Sequence, residues 1–389
     1  MVSKDFLTSI IGYIVPFGSL QDPIGKEGLA NILVDSYSYG KRGGVDVEKL
    51  FEKLESLGGT FNAEAGDEVC YLYVRAPKEN IDECKDILDE MITNVVISEE
   101  ELTNIKETLK KKILEVESDD RSYAKEKFFE VSLGKRSSLG TIGSLDSISI
   151  EDIERKLLDA ASSKLFYKFS SPVNFQMDVG IKGLLKNSTN IYIPEDNACY
   201  LDTQFEQKVV MFGFSTGGYK DHEFISRQIC TAIMSSGLVG LVPEEIREKH
   251  SAAYYASYSH KLFTDRGVAY MFAGVSDGNI VRTVSLMDKI FMSVRKLVDK
   301  ERLEIAKSYS IGTLARGFDS IEAIMSLQLH FAMNDLPTMN YDEAIEKIAL
   351  VDMNMVMDQF DDIVTGTRSI TVNGIVDADI KDELNGYLK

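Results

Sequence analysis

The sequence predicts an α+β protein of two homologous domains, each a mainly antiparallel sheet packed with helices on one face. Three observations predict it. One order of strand and helix signals occurs twice, about 200 residues apart, which is too long for a solenoid repeat and suits a duplicated domain. Strand segments rich in aromatic and β-branched residues alternate with amphipathic helices in both halves, the pattern of helices layered on a sheet. Between the halves, Lys186 to Asn190 and Pro194 to Asn197 are polar and turn-forming. The expected organisation is a first domain over 1–185, a linker over 186–200 and a second domain over 201–389.

The elements follow in matching order. Asp5 to Ser19 reads as a strand ending in Pro-Phe-Gly-Ser, and Gln207 to Gly218 as its counterpart ending in Ser-Thr-Gly-Gly. Each leads into a helix, Gly25 to Gly40 and Asp221 to Ser235. Next come the strands Glu68 to Val74 and Gly267 to Ala273, then the amphipathic helices Asn80 to Asn94 and Asn279 to Leu297. A long helix with an acidic start opens at Ser98 in one half and at Asp299 in the other, and Ser98 with Glu101 has the spacing of a capping box. Closing strands are expected at Val173 to Val179 and Ser369 to Val376.

Composition narrows the function classes. With 44% hydrophobic and 27% charged residues and no low-complexity run, the chain is a globular protein able to bury substantial cores. Sixty-two acidic against 43 basic residues give a net charge of −19. Such a charge repels nucleic acid and anionic membrane surfaces, so neither is expected as a partner. It either lines a surface that attracts basic peptides or serves solubility, and the second needs no further assumption. Cys70, Cys84, Cys199 and Cys230 form no C-x-x-C pair and are too sparse for a disulfide scaffold, which fits a reducing compartment. The start, Met1 to Asp5 followed by the apolar Phe6 to Pro16, lacks the features of a signal or transit peptide. No apolar run reaches the roughly 18 residues needed to span a bilayer. A cytoplasmic protein is expected.

Four segments carry the motifs. They are Lys26 to Asp35 with its Gly28-Leu29-Ala30, Leu54 to Glu64 (Leu-Glu-Ser-Leu-Gly-Gly-Thr-Phe-Asn-Ala-Glu), Ser138 to Gly143 (Ser-Leu-Gly-Thr-Ile-Gly), and Glu245 to Lys249 followed by Ala253-Tyr254. In order and spacing they resemble the insulinase and mitochondrial processing peptidase family, specifically its short two-domain members, over nearly the whole chain. Members of that family carry His-x-x-Glu-His on the first helix, placing two imidazoles and a carboxylate on one helical face. Here those places hold Asn31, Val34 and Asp35. The third metal ligand, a glutamate on the long helix, aligns with Lys111. The four histidines are His222, His250, His260 and His330, so none lies in the first half. The helix therefore offers zinc no imidazole, and Val34 cannot act as a base. A further departure is Met234 to Pro243, longer than the relatives' tight turn and unlike the glycine-rich loop of the mitochondrial α subunit.

The resemblance implies a dimer enclosing a chamber, in which one subunit carries zinc and the other contributes an Arg and a Tyr that hold the substrate peptide. These fall on Arg247 and Tyr254. A guanidinium can donate two bonds to a carbonyl and a phenol can donate to a developing oxyanion. Taken without the family spacing, Arg247 reads as a solvated helix residue and Tyr254 as a core aromatic of a Tyr254-Tyr255 strand. The resemblance also makes Phe61-Asn62-Ala63-Glu64 an edge strand that pairs with substrate backbone; the alternative is a plain turn after Gly58-Gly59. Asp35 and Lys111 suggest an ion pair in the vacated metal site.

The expected function is the non-zinc subunit of a heterodimeric zinc metallopeptidase that processes peptides or leader segments. No cofactor is expected in this chain, zinc is expected in a homologous partner subunit, and a peptide is the substrate. The alternatives are a non-proteolytic structural scaffold and a peptide-binding homodimer.

Overall fold

A computed structural model describes residues 6–171, 174–187, 197–205, 207–219, 224–235, 237 and 239–389. Most of the expected linker, the start of the helix expected from Asp221, and Ser236 and Leu238 of the Met234 to Pro243 loop lie outside the described residues. The first half runs β1 (Thr8–Val15), α1 (Leu29–Ser36), β2 (Lys41–Arg42), β3 (Val45–Asp46), α2 (Val47–Ser56), β4 (Thr60–Ala65), β5 (Cys70–Pro77) and α3 (Ile81–Met91). It continues through β6 (Val95–Val96), α4 (Glu99–Ser118), α5 (Asp120–Leu133), α6 (Ile142–Ser147), α7 (Ile150–Ser163), β7 (Leu165–Ser171) and β8 (Asn174–Met177). The second half runs β9 (Ala198–Leu201), β10 (Lys208–Gly217), α8 (Phe224–Ser235), a π-helical segment Pro243–Lys249, β11 (Tyr255–Leu262) and β12 (Arg266–Val275). After these come α9 (Ile280–Leu297), α10 (Lys300–Gly317), α11 (Ile321–Met333), α12 (Tyr341–Leu350), α13 (Met353–Ile363), β13 (Arg368–Asn373) and α14 (Ala378–Asn385).

The chain divides into two compact units, each assembled from discontinuous segments. The first comprises 1–115, 136–190 and 318–338; the second comprises 116–135, 191–317 and 339–389. In the first, five strands lie in the order β4-β5-β1-β7-β8, all antiparallel. In the second, the order is β11-β12-β10-β13-β9, antiparallel except for the parallel pair β13 and β9. The α+β class and the mainly antiparallel sheets are as predicted.

The duplication is visible in single residues. Gly12 on β1 sits opposite Tyr73, and Gly213 on β10 sits opposite Tyr270. A Cβ on Gly12 would come within 2.6 Å of the Tyr73 Cβ, and one on Gly213 within 2.7 Å of the Tyr270 Cβ. Glycine is required at both places because a tyrosine side chain closes over the neighbouring strand.

One expected closing strand is displaced. The partner of β1 is β7 over Leu165–Ser171, where the sequence reading put the strand at Val173 to Val179. Those later residues supply the following edge strand β8 instead. The Leu165 to Ser171 segment follows α7 with one intervening residue, so its strand signal is obscured by the helix before it.

Burial explains why both central strands read as continuous apolar runs rather than alternating ones. On β1, Ile11, Tyr13 and Val15 join the main helical core with Leu33, Leu72, Leu88 and Leu109. Ile10 and Ile14 face the other way, into a cluster with Tyr73, Tyr167, Ile324, Met325 and Leu329. That second face, which the sequence reading left without a helix, is covered by α11. In the second unit Phe212 and Phe214 pack on Phe291 of α9, while Tyr270 meets Phe128 and Phe129 of α5. A strand apolar on both faces needs cover on both.

The long helices break at equivalent places. Asp119 caps α5 by accepting from the Ser122 amide at 2.7 Å, and Ser320 caps α11 by accepting from the Ala323 amide at 3.2 Å. The capping box at the start of α4 is formed as expected: the Ser98 amide donates to Glu101 Oε2 at 2.7 Å and the Glu101 amide to Ser98 Oγ at 3.2 Å.

Candidate functional site

Two of the sequence motifs meet around the start of α1. Gly28 lies at φ 98°, and a Cβ there would come within 2.6 Å of the Leu139 carbonyl oxygen. Gly140, at φ 80°, approaches the Glu27 carbonyl so closely that any Cβ would overlap it. Ser144 Oγ donates to the Glu27 oxygen at 2.8 Å, and Asn31 Nδ2 donates to the Ser138 oxygen at 2.6 Å. The glycines of the two segments therefore serve a backbone-to-backbone contact.

The opening of α1 is held by a residue that the sequence reading missed. Asp22, 6% exposed, accepts from the Gly28 amide at 2.8 Å and from the Ala30 amide at 3.0 Å, satisfying two free donors of the helix start. Its only sequence signal is an acid a few residues before the helix, inside a turn. Burial, opposed by those two amides, lifts its carboxyl to about 7. The unfolded chain titrates near 3.9. Between these values the folded state retains a proton that the unfolded state has released, so this group's contribution to stability falls as pH rises from ~4 to ~7, by up to ~1.4 kcal/mol per pH unit. Asp22→Asn is expected to remove that slope. Urea unfolding of both proteins at pH 5 and pH 8 measures it, and a wild-type-minus-variant difference unchanged between the two pH values refutes it.

The three positions that the family resemblance assigns to metal ligands form no zinc site among the described residues. The Asn31 amide is committed to Ser138, Val34 is 3% exposed and apolar, and Asp35 is a lone half-buried carboxylate. Among the described residues no three His, Cys, Asp or Glu side chains gather as a metal site requires. The donor set does not fit the ion. Nor does an ion pair replace it: Lys111 is exposed and makes no ion pair among the described residues. Lys111 lies on the exposed surface of α4, where Lys110 binds Asp146 at 2.8 Å and Glu107 at 2.9 Å. Burial raises the Asp35 pKa, and the cation that opposes this is Lys112.

Phe61, Asn62, Ala63 and Glu64 lie in β4, paired on one side with β5 and forming an edge of the first sheet. The alternative of a plain turn at these residues is set aside. The turn comes earlier: Gly58 at φ 72° ends α2, with its amide on the Glu55 oxygen at 2.9 Å, and Gly59 packs against Leu54. Glu64 Oε1 accepts from the Tyr73 hydroxyl at 2.9 Å.

Arg247 lies on the π-helical segment Pro243–Lys249, a geometry that recurs at functional sites. Its side chain is 43% exposed, with Nε on Glu248 Oε1 at 2.7 Å. Around it the segment is braced by Glu244, which binds Arg302 at 2.6 Å and Lys249 at 2.8 Å. Tyr254 is 68% exposed, and its phenol makes no hydrogen bond among the described residues. The core-aromatic reading of Tyr254 is thus overturned, because the strand begins one residue later, at Tyr255. The Tyr254 amide donates to the Gly274 oxygen at 2.8 Å, fixing its backbone to β12. β11, which Tyr254 introduces, is an edge of the second sheet, as β4 is of the first.

Two five-stranded sheets that share the order of their first four strands and carry helices on both faces define a processing-peptidase-like fold. Residues 3–136 match the insulinase family (peptidase family M16), and residues 186–309 match the peptidase M16 inactive domain. The chain belongs to the M16 peptidase family. It is 21% identical over 313 residues to an "uncharacterized zinc protease" of Rickettsia bellii, covering 77% of this chain and 76% of that protein. Its fold is similar to the peptidase M16 inactive domain protein of Pseudomonas fluorescens, with TM-score 0.79, 15% identity, and coverage of 96% of this chain and 94% of that one. A protease of Helicobacter pylori is similar in fold at TM-score 0.79 and 12% identity, with coverage of 95% and 94%. Among the described residues no helix is long and apolar enough to cross a membrane.

Proposed function

We propose that this chain is the non-zinc subunit of a heterodimeric zinc metallopeptidase acting on peptides or leader segments. Arg247 and Tyr254 hold the scissile bond against a metal carried by a homologous partner. The observation that carries this reading is Tyr254: a large aromatic left 68% exposed with a free phenol, in a family motif, on a chain whose own metal helix has no zinc donors. Large exposed aromatics with an unspent donor suit recognition better than packing. The edge strand β4, with Phe61, Asn62, Ala63 and Glu64, would add a substrate backbone by β-augmentation. Four free cysteines with no disulfide between them fit the cytoplasm.

The test is reconstitution. A zinc-bearing homologue of similar length is expected to cleave a peptide library slowly alone and much faster when mixed with this chain. Full activity from the partner alone rejects the proposal and favours a structural scaffold.

A further inference from the structure

Helix α8 carries one charge in an otherwise apolar and small polar run, Phe-Ile-Ser-Arg-Gln-Ile-Cys-Thr-Ala-Ile-Met-Ser, and that charge is buried. Arg227 is 6% exposed. Its guanidinium makes no hydrogen bond and no ion pair among the described residues; only its backbone oxygen is engaged, by Thr231 Oγ1 at 3.1 Å. Asp362 acts on it only through space, and no described carboxylate lies within ion-pair distance. A desolvated guanidinium without a close partner is costly, and the rule for buried charges is that they are paired or bind something. Burial accordingly lowers its pKa.

The side chain lines a cavity of about 220 Å³ within the second unit, with Tyr219, Phe224, Gln228, Thr231 and His260 among its walls. The His260 ring is held in place, with Tyr258 Oη at 3.0 Å from Nε2 and Thr231 Oγ1 at 3.4 Å from Nδ1. Gln228 is exposed, and its amide makes no hydrogen bond among the described residues. The described wall thus combines a dry cation, an amide donor with no partner among the described residues and aromatic faces, and no carboxylate is among its described residues. It has the complement of a small oxyanion: five guanidinium N–H donors in a planar fork match carboxylate and phosphate oxygens.

We propose that this cavity is an oxyanion-binding site for a carboxylate or phosphoryl group, with Arg227 as its charge partner. The inference stands apart from the proposed peptidase role, since no residue of that role lines the cavity. Its occupant carries the oxyanion on a compact, partly apolar body that Tyr219 and Phe224 can cover.

Calorimetric titration of the full chain with inorganic phosphate, with acetate, and with a short peptide as its free acid and as its amide tests this at constant ionic strength. Binding of phosphate assigns a phosphoryl group, and binding of acetate or the peptide acid but not the amide assigns a carboxylate. Arg227→Met, which keeps the stem and removes the charge, is expected to weaken that binding about 10-fold to 100-fold, the weight of a charge-assisted pair. Since the free guanidinium costs stability, this variant is expected to melt no lower than wild type without ligand. Gln228→Glu supplies an internal carboxylate at the rim and is expected to abolish binding by occupying the guanidinium. No heat with any of the anions, or equal binding by wild type and both variants, overturns the proposal.

Discussion

In a reconstituted pair with a zinc-bearing homologue, Arg247→Ala and Tyr254→Phe are each expected to lower kcat/KM by about 10²-fold, the scale found when one transition-state donor is removed. The two should divide differently between constants. Arg247 donates to a ground-state carbonyl, so its loss is expected chiefly in KM, whereas a phenol that meets only the developing oxyanion is felt in kcat. The exposed bond from Arg247 to Glu248 is no obstacle, because a surface ion pair of this kind contributes only about 0–1 kcal/mol and is readily exchanged for a substrate oxygen. Tyr254→Phe removes one oxygen from a residue 68% exposed, so folding is untouched and a kinetic change reports chemistry. Kinetics of the pair with either variant within twofold of wild type would reject these roles while leaving open an architectural one.

What the sequence revealed of this site follows from what its motifs encode. Gly28, Gly58 and Gly140 are legible because positive φ values and close approaches exclude other residues. That α1 offers zinc no imidazole is legible because it is a matter of residue type, which the sequence states directly. Asp22 and Arg227 escaped notice for the opposite reason. One caps a helix across a turn and the other is a lone charge within an apolar helix, and the meaning of each depends on burial that no local pattern states. The Asp35 and Lys111 pairing is not formed for a similar reason: motif alignment says nothing about which way a long side chain on a solvent-facing helix will turn.

The destination of a helix is equally hidden. Residues 120–133 form no clear apolar stripe at helical spacing, and nothing local indicates which sheet will receive Phe128 and Phe129. The structure assigns α5 to the second unit and α11 to the first, so each unit receives on one face of its sheet a helix from the other half of the sequence. Periodicity shows that a helix has an apolar face but not what it covers.

Phe128→Ala is therefore expected to be among the most destabilising single changes in the second unit. Phe128 is fully buried, with ring centroids 5.4 Å from Tyr270 and 6.2 Å from Phe129, and Phe129 is itself 5.5 Å from Tyr270. Truncating such a residue costs about 3–5 kcal/mol, because lost transfer energy and the cavity add. The cavity cannot close by moving the helix, since α5 is tied at both ends: Asn373 Nδ2 donates to the Asp120 oxygen at 2.7 Å and Arg266 Nε to the Leu133 oxygen at 3.1 Å. For a unit of this size each kcal/mol shifts Tm by ~2–4 °C, so calorimetry should show a transition about 10 °C lower. The effect should reach function, because Tyr270 lies on β12, whose Gly274 oxygen holds the Tyr254 amide. Leu114→Ala, on a residue 54% exposed in α4, is the control and should leave both transition and activity unchanged. A Phe128→Ala protein that melts with the wild type would mean that α5 is not part of the second unit's core.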